Sequence, residues 1–163
     1  MRRTQERGSS MVEFAIAATA LLLLLMGLVE FGRAMYMYHV VSNAARIGSR
    51  WALVRGSVSC GDTYPIDHCN ATPAQIQTQV QGQVPLTDSG TLSVATAWSS
   101  APLETGGSCP SPPSPAPGSA AGGANAPGHL VCVTVTYPFK FAVPFVSKST
   151  LNLSSTSQMA ISQ

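Results

Sequence analysis

The first residue placed where it could do chemistry is a carboxylate in an apolar setting. Glu13 precedes a nearly uninterrupted apolar run from Phe14 to Val29, and it is the fifth residue after Gly8. A charge inside an apolar membrane helix costs about 2.5 to 3.5 kcal/mol on insertion scales, so such a group is paired, near an interface, or functional. Two readings of Glu13 fit this placement. It snorkels to the near interface, or it meets a positive group of its own or a neighbouring chain. Gly8 carries no side chain and, with Ser9 and Ser10, makes a small-residue junction ahead of the run.

A second charged pair, Glu30 and Arg33, closes the apolar run. The two sit three apart on one helical face, which predicts an ion pair at the far interface. The four cysteines, Cys60, Cys69, Cys109 and Cys132, all lie beyond the run. An even number on one side of a membrane segment predicts an oxidising compartment and two disulfides. Three connectivities are open; joining Cys60 to Cys69 and Cys109 to Cys132 closes a local loop each time. Zinc is the rival use, with His68 beside Cys69 and His39 and His129 elsewhere, but no paired C-x-x-C or H-x-x-x-H spacing occurs.

Asp62, Asp67, Asp88 and Glu104 are scattered through loop-like sequence, where single acids are ordinarily solvated surface. There is no G-x-S-x-G, no phosphate-cradling glycine loop and no H-E-x-x-H. The expectation is a chain that is not an enzyme and uses no cofactor or metal.

The elements that must position these groups divide into a helical arm and a distal part. Residues 1–55 carry Arg2, Arg3, Arg7, Arg33, Arg46, Arg50 and Arg55 against Glu6, Glu13 and Glu30, a balance of +4. Residues 56–163 carry Lys140 and Lys148 against the four acids named above, a balance of -2. The basic pI therefore belongs to the arm, and no arginine-rich or aromatic-interleaved patch in the distal part argues for nucleic acid. Residues 1–8 form a basic leader like the start of a targeting sequence. Positive charge favours the cytoplasm, but arginines follow on the other flank too, so orientation rests on the distal cysteines.

Met11 to Val29 is about 19 residues, or about 28 Å, enough to cross a hydrocarbon core. Tyr36 and Tyr38 fall where an aromatic belt would lie. The helix is predicted to continue to about Arg55. Val41, Ala44, Ala45, Gly48, Trp51, Ala52 and Arg55 recur at three- and four-residue steps, leaving Ser42, Asn43, Arg46 and Ser49 outside the stripe. A loop follows. Then Thr72, Pro73 and Gln75 start a short helix with Ile76, Val80 and Val84 on one face, and Pro85 ends it.

Residues 91–98 alternate as a half-buried strand does. Residues 99–128 are almost wholly Ser, Pro, Gly and Ala, which predicts a mobile loop tethered at Cys109. Residues 130–139 form the strongest strand signal, with Val131, Val133, Val135 and Tyr137 on one face. Pro138 and Pro144 bound a turn or bulge, and a third strand passes through Leu151 and Leu153. The fold class is α+β: a long N-terminal transmembrane helix packed on a small antiparallel sheet of about three strands, which needs that helix as cover.

Gly8 followed by SSMVEF resembles a type IV prepilin processing site, with Glu13 and Phe14 as the fifth and sixth residues of the mature chain. The longer pattern, RGSSMVEFA, the leucine run, LVEFGRA and SNAARIGSR, resembles the TadE-like family of pseudopilins from tight-adherence (Flp-type) pilus systems. That resemblance covers about residues 7–52. It implies cleavage between Gly8 and Ser9 by a prepilin peptidase, and a role for Glu13 and Phe14 in assembly with other pilin and pseudopilin subunits and the pilus machinery. The implied layout is a leader (1–8), a transmembrane and assembly helix (9–55) and an extracytoplasmic, pilin-like head (56–163). The protein would then sit in the bacterial inner membrane with its N-terminus in the cytoplasm, or enter an extracellular pilus. The competing expectation is a secreted or simply anchored protein with an ordinary signal sequence, for which Gly32 and Ala34 make a passable cleavage site.

Overall fold

A computed structural model of the chain describes residues 3–57, 60, 67, 69–84, 92–110, 125–142 and 150–162. The expectations placed on Asp62, Asp88, His68, Pro85 and Pro144 fall outside them. Two compact units are present, Met1–Tyr36 with Lys140–Thr150, and Met37–Phe139 with Leu151–Gln163.

Helix α1 runs Arg3–Leu53, a single α-helix with no proline to break it, and takes the described residues before Gly8 into the same rod. Its C-terminal end is closed by Arg55. The Arg55 guanidinium donates to the Trp51 carbonyl at 3.2 Å and to the Asp67 carbonyl at 3.0 Å, and lies 4.2 Å above the centre of the Trp51 ring. One carbonyl that a helix end leaves without an intrahelical partner is thereby satisfied.

Helix α2, Pro73–Gln83, forms as its local signals require. The Thr72 hydroxyl accepts from the Gln75 backbone at 3.4 Å, and the Gln75 side chain accepts from the Thr72 backbone at 2.9 Å. This reciprocal capping box satisfies two orphan donors, and proline suits the first helical position. Ile76 and Val80 point into the core.

Strands β1 (Ser93–Pro102), β2 (His129–Lys140) and β3 (Thr150–Ala160) form one sheet in that order. β1 and β2 are antiparallel, with Val94 opposite Val135, Thr96 opposite Val133 and Trp98 opposite Val131. Between β2 and β3, the Thr134 and Thr156 hydroxyls meet at 2.8 Å and Thr136 donates to Ser154 at 3.3 Å. One number rises as the other falls, which marks this pair as antiparallel too.

In the second unit the small face of α1, with Val41, Ala44, Ala45 and Ala52, lies in one core with Ile76 and Val80 of α2 and Val131, Val133 and Val135 of β2. Small residues let the helix backbone approach the sheet closely, and the valines of alternate β2 positions fill the space.

Three details depart from the sequence reading. Ser49, expected outside the stripe, is fully buried, because its hydroxyl finds Ser157 of β3 at 2.8 Å. Pro138 lies within β2 and does not bound a turn there. The expected loop from residue 99 starts later, since β1 continues through Pro102 into a 3-10 turn, Leu103–Thr105. Ser99 makes the extension tenable: its hydroxyl accepts from the Leu130 backbone at 2.9 Å and donates to the Ala101 carbonyl at 2.7 Å.

Both disulfides join the expected partners, Cys60 with Cys69 and Cys109 with Cys132, and occupy every cysteine. Replacing either pair by alanine should destabilise the second unit by on the order of 3 kcal/mol. The Cys109–Cys132 separation of 23 exceeds the 9 of the other bridge and adds roughly 0.8 kcal/mol by loop-closure entropy. Cys132 is also buried within β2, so its truncation leaves a small void. Urea midpoints of the two double variants in detergent should therefore rank Cys109/Cys132 as the costlier loss.

Candidate functional site

The junction lies inside α1, not ahead of it. Gly8 and Ser9 are both helical and exposed. A side chain built on Gly8 would meet nothing within 4 Å, and its backbone is not left-handed. Neither packing nor conformation therefore calls for glycine here. In a helix it costs about 1 kcal/mol relative to alanine. That cost has a chemical consequence: the first turns around Gly8 unwind more readily into the extended form a protease cleaves.

Glu13 is exposed on the same helix, and among the described residues it makes no ion pair or hydrogen bond. Phe14 beside it is 75% exposed. Ser9 and Glu13 are four residues apart, so they share a face about 6 Å apart along the axis. A free amine on Ser9 would lie within reach of this carboxylate or of a neighbour's.

Around them is an apolar surface without internal cover. Met11, Val12, Ile16, Leu21 to Leu25, Met26, Leu28, Val29 and Phe31 are all at least 46% exposed. The helix is long and apolar enough to cross a bilayer, and none of its most apolar window is buried within the chain. Thr19 does not disturb this, because its hydroxyl donates to the Ala15 carbonyl at 2.8 Å, within the helix. Such internal satisfaction is what a hydrocarbon setting demands of a polar group.

Glu30 and Arg33 form the expected pair, with one guanidinium nitrogen 2.7 and 2.8 Å from the two carboxylate oxygens. Glu30 is buried, whereas the Arg33 side chain is 47% exposed. The backbone N–H of Ala142 also donates to Glu30, at 3.3 Å. Nothing in the sequence signalled that third partner, which is 112 positions away.

The other groups considered for chemistry are placed as follows where they are described. His39 is exposed on α1, and His129 faces the Ser99 carbonyl at 3.0 Å. Glu104 is exposed in the 3-10 turn. Among the described residues no three His, Cys, Asp or Glu side chains gather as a metal set. A buried polar cluster that sequence reasoning missed is built on Asn125. Its side-chain amide nitrogen donates to the Arg55 carbonyl at 3.2 Å and to the Asn70 side-chain oxygen at 3.1 Å, while its backbone carbonyl accepts from the Ser57 backbone N–H at 2.8 Å. It ties the end of α1 to the residues before α2, a structural role for which a lone asparagine in glycine- and alanine-rich sequence gives no signal.

The junction, the lone carboxylate and the uncovered span thus lie on one helix, in the order Gly8, Ser9, Glu13, Phe14 and Glu30 with Arg33. No curated protein and no solved structure matches the chain. The family model described as TadE-like protein matches residues 8–50, about a quarter of the length, and so covers α1 but neither α2 nor the sheet. Over that segment, and there alone, the chain is similar to the TadE-like family.

Proposed function

We propose that this protein is a pseudopilin or minor pilin of a tight-adherence (Flp-type) pilus system. A prepilin peptidase cuts it between Gly8 and Ser9, and it works by being inserted, trimmed and packed beside other pilin and pseudopilin subunits. α1 anchors it in the bacterial inner membrane in a single pass, leader inward and head outward. The reading gives it no catalytic step and no cofactor. The single observation that carries it is Gly8: a helix-weakening residue that the fold does not require, placed five positions before a carboxylate that has no ion pair among the described residues, in an exposed apolar helix.

Coexpression with an active prepilin peptidase tests this. Intact mass should show loss of residues 1–8 and a mature chain beginning at Ser9. Gly8→Leu should abolish the cut while leaving the head folded, because there is open space around position 8. An unchanged Met1 beside an active peptidase overturns the reading. A mature terminus at Met35 establishes the signal-peptide alternative, although such a cut would sever α1 in mid-course.

A further inference from the structure

We propose that Lys140–Ala142, at the end of β2, is a second membrane contact, seated in the interfacial zone beside the outer end of the α1 span. It rests on reading α1 as a membrane helix, and it adds a lipid-binding segment from a part of the chain distant in sequence.

The argument is one of depth. The apolar run ends at Val29, and Glu30 is the next residue. The Ala142 N–H is hydrogen bonded to Glu30 at 3.3 Å. Groups joined in this way share a depth, whatever tilt the helix takes. Phe141 is one Cα step away, about 3.8 Å. Residues Lys140–Thr150 belong to the same compact unit as Met1–Tyr36, which agrees with that contact.

The chemistry suits the position. Lys140 is exposed and Phe141 half-buried. An aromatic ring next to a cation partitions to the headgroup level, where the ring meets the acyl boundary and the ammonium meets lipid phosphate. Arg33, half-exposed, and Tyr36, 59% exposed, stand about 4.5 and 9 Å further along α1 than Glu30 and present the same pairing of cation and aromatic. Glu30 is the fixture between them. Its charge at this depth is answered by Arg33 and by the Ala142 amide, so breaking the contact would leave a carboxylate short of a partner. A bilayer is favoured over a protein partner because both sides of the contact combine exposed cations with aromatics at the end of a span.

The full chain carrying p-benzoylphenylalanine at position 141, in vesicles of phosphatidylethanolamine and phosphatidylglycerol, tests this on irradiation. Intact mass should gain one phospholipid. The same probe at the exposed Lys140 guards against misfolding caused by replacing Phe141. At Leu22, inside the apolar run, it should also take lipid; at Leu103, in the 3-10 turn, it should not. Lipid adducts at Leu22 with only chain-to-chain adducts, or none, at positions 140 and 141 overturn this proposal and leave the span intact. No lipid adduct at Leu22 overturns the membrane reading of α1, and this proposal with it.

Discussion

Glu13→Ala is expected to be cut after Gly8 as completely as the parent chain and to be lost from pilus assemblies, with recovery falling at least tenfold. Cleavage acts on backbone five residues earlier, and among the described residues Glu13 makes no ion pair or hydrogen bond. The change also favours both the helix and its insertion. Alanine is the best helix former, and removing the charge relieves about 2.5 to 3.5 kcal/mol of burial in hydrocarbon. A defect in assembly therefore could not be laid to misfolding or to failure to enter the membrane. What is lost is the partner for a Ser9 amine, worth most where water is scarce. Glu13→Gln should fail in the same way, since it keeps the shape and drops the charge, whereas Glu13→Asp should retain part of the function. Quantifying each variant against other pilus subunits in detergent-solubilised complexes, alongside N-terminal mass, separates processing from assembly. Normal recovery of Glu13→Ala would leave the carboxylate as an interfacial group only.

What could be read from the sequence and what could not divide by range. The capping box of Thr72 and Gln75 spans three residues, so its partners are visible together, and α2 starts where they place it. The valine alternation of β2 is likewise local, because the pleat sends every second side chain to one face. The disulfides follow from four cysteines and a preference for short loops. Ser49 shows the limit. A serine on a helix reads as polar surface, and its burial is tolerable only because Ser157, 108 positions later, presents a hydroxyl at 2.8 Å. The same holds for Ser99, whose hydroxyl carries β1 past its sequence signal, and for Asn125 and the Glu30–Ala142 contact. Burying a polar group is unfavourable until its partner arrives, and the partner is a property of the fold rather than of the neighbouring residues.

The candidate site was more legible than the fold around it, for the same reason. Gly8, Ser9, Glu13 and Phe14 lie within one stretch of seven residues, on one helix. The structure's own addition is negative space: no packing requires a glycine at position 8, and among the described residues no ion pair or hydrogen bond requires a carboxylate at position 13. Two residues that the described fold leaves unexplained, five positions apart on one helix, are what the proposed processing and assembly would account for.

Gly48 is the opposite case, a glycine the fold does require, and Gly48→Leu is expected to unfold the helix-on-sheet unit. A Cβ at this position would lie 2.9 Å from Val133 Cγ1 and 2.9 Å from Val80 Cγ2, with Ile76 Cγ2 at 3.5 Å. Both near contacts are valine methyls, and a β-branched side chain is stiff at χ1, so neither can swing aside cheaply. For Gly48→Ala two effects compete. Helix propensity gains about 1 kcal/mol, while overpacking costs about 1 to 3 kcal/mol, so the net is a loss of up to about 2 kcal/mol. Leucine adds three more carbons on the same line, for which α2 and β2 leave no room, and the cost should exceed about 3 kcal/mol, a large share of the stability of a domain this size. Near-uniform loss of near-ultraviolet circular dichroism and a lowered urea midpoint in detergent would register it. Gly27→Leu and Gly32→Leu, where a Cβ meets nothing within 4 Å, should keep the parent midpoint. Val133→Ala in the Gly48→Ala background should recover part of the loss by removing one of the two close methyls. A parent-like midpoint for Gly48→Leu would mean that α1 does not pack on the sheet at this closeness, because a branched side chain cannot occupy space already filled by two valines and an isoleucine.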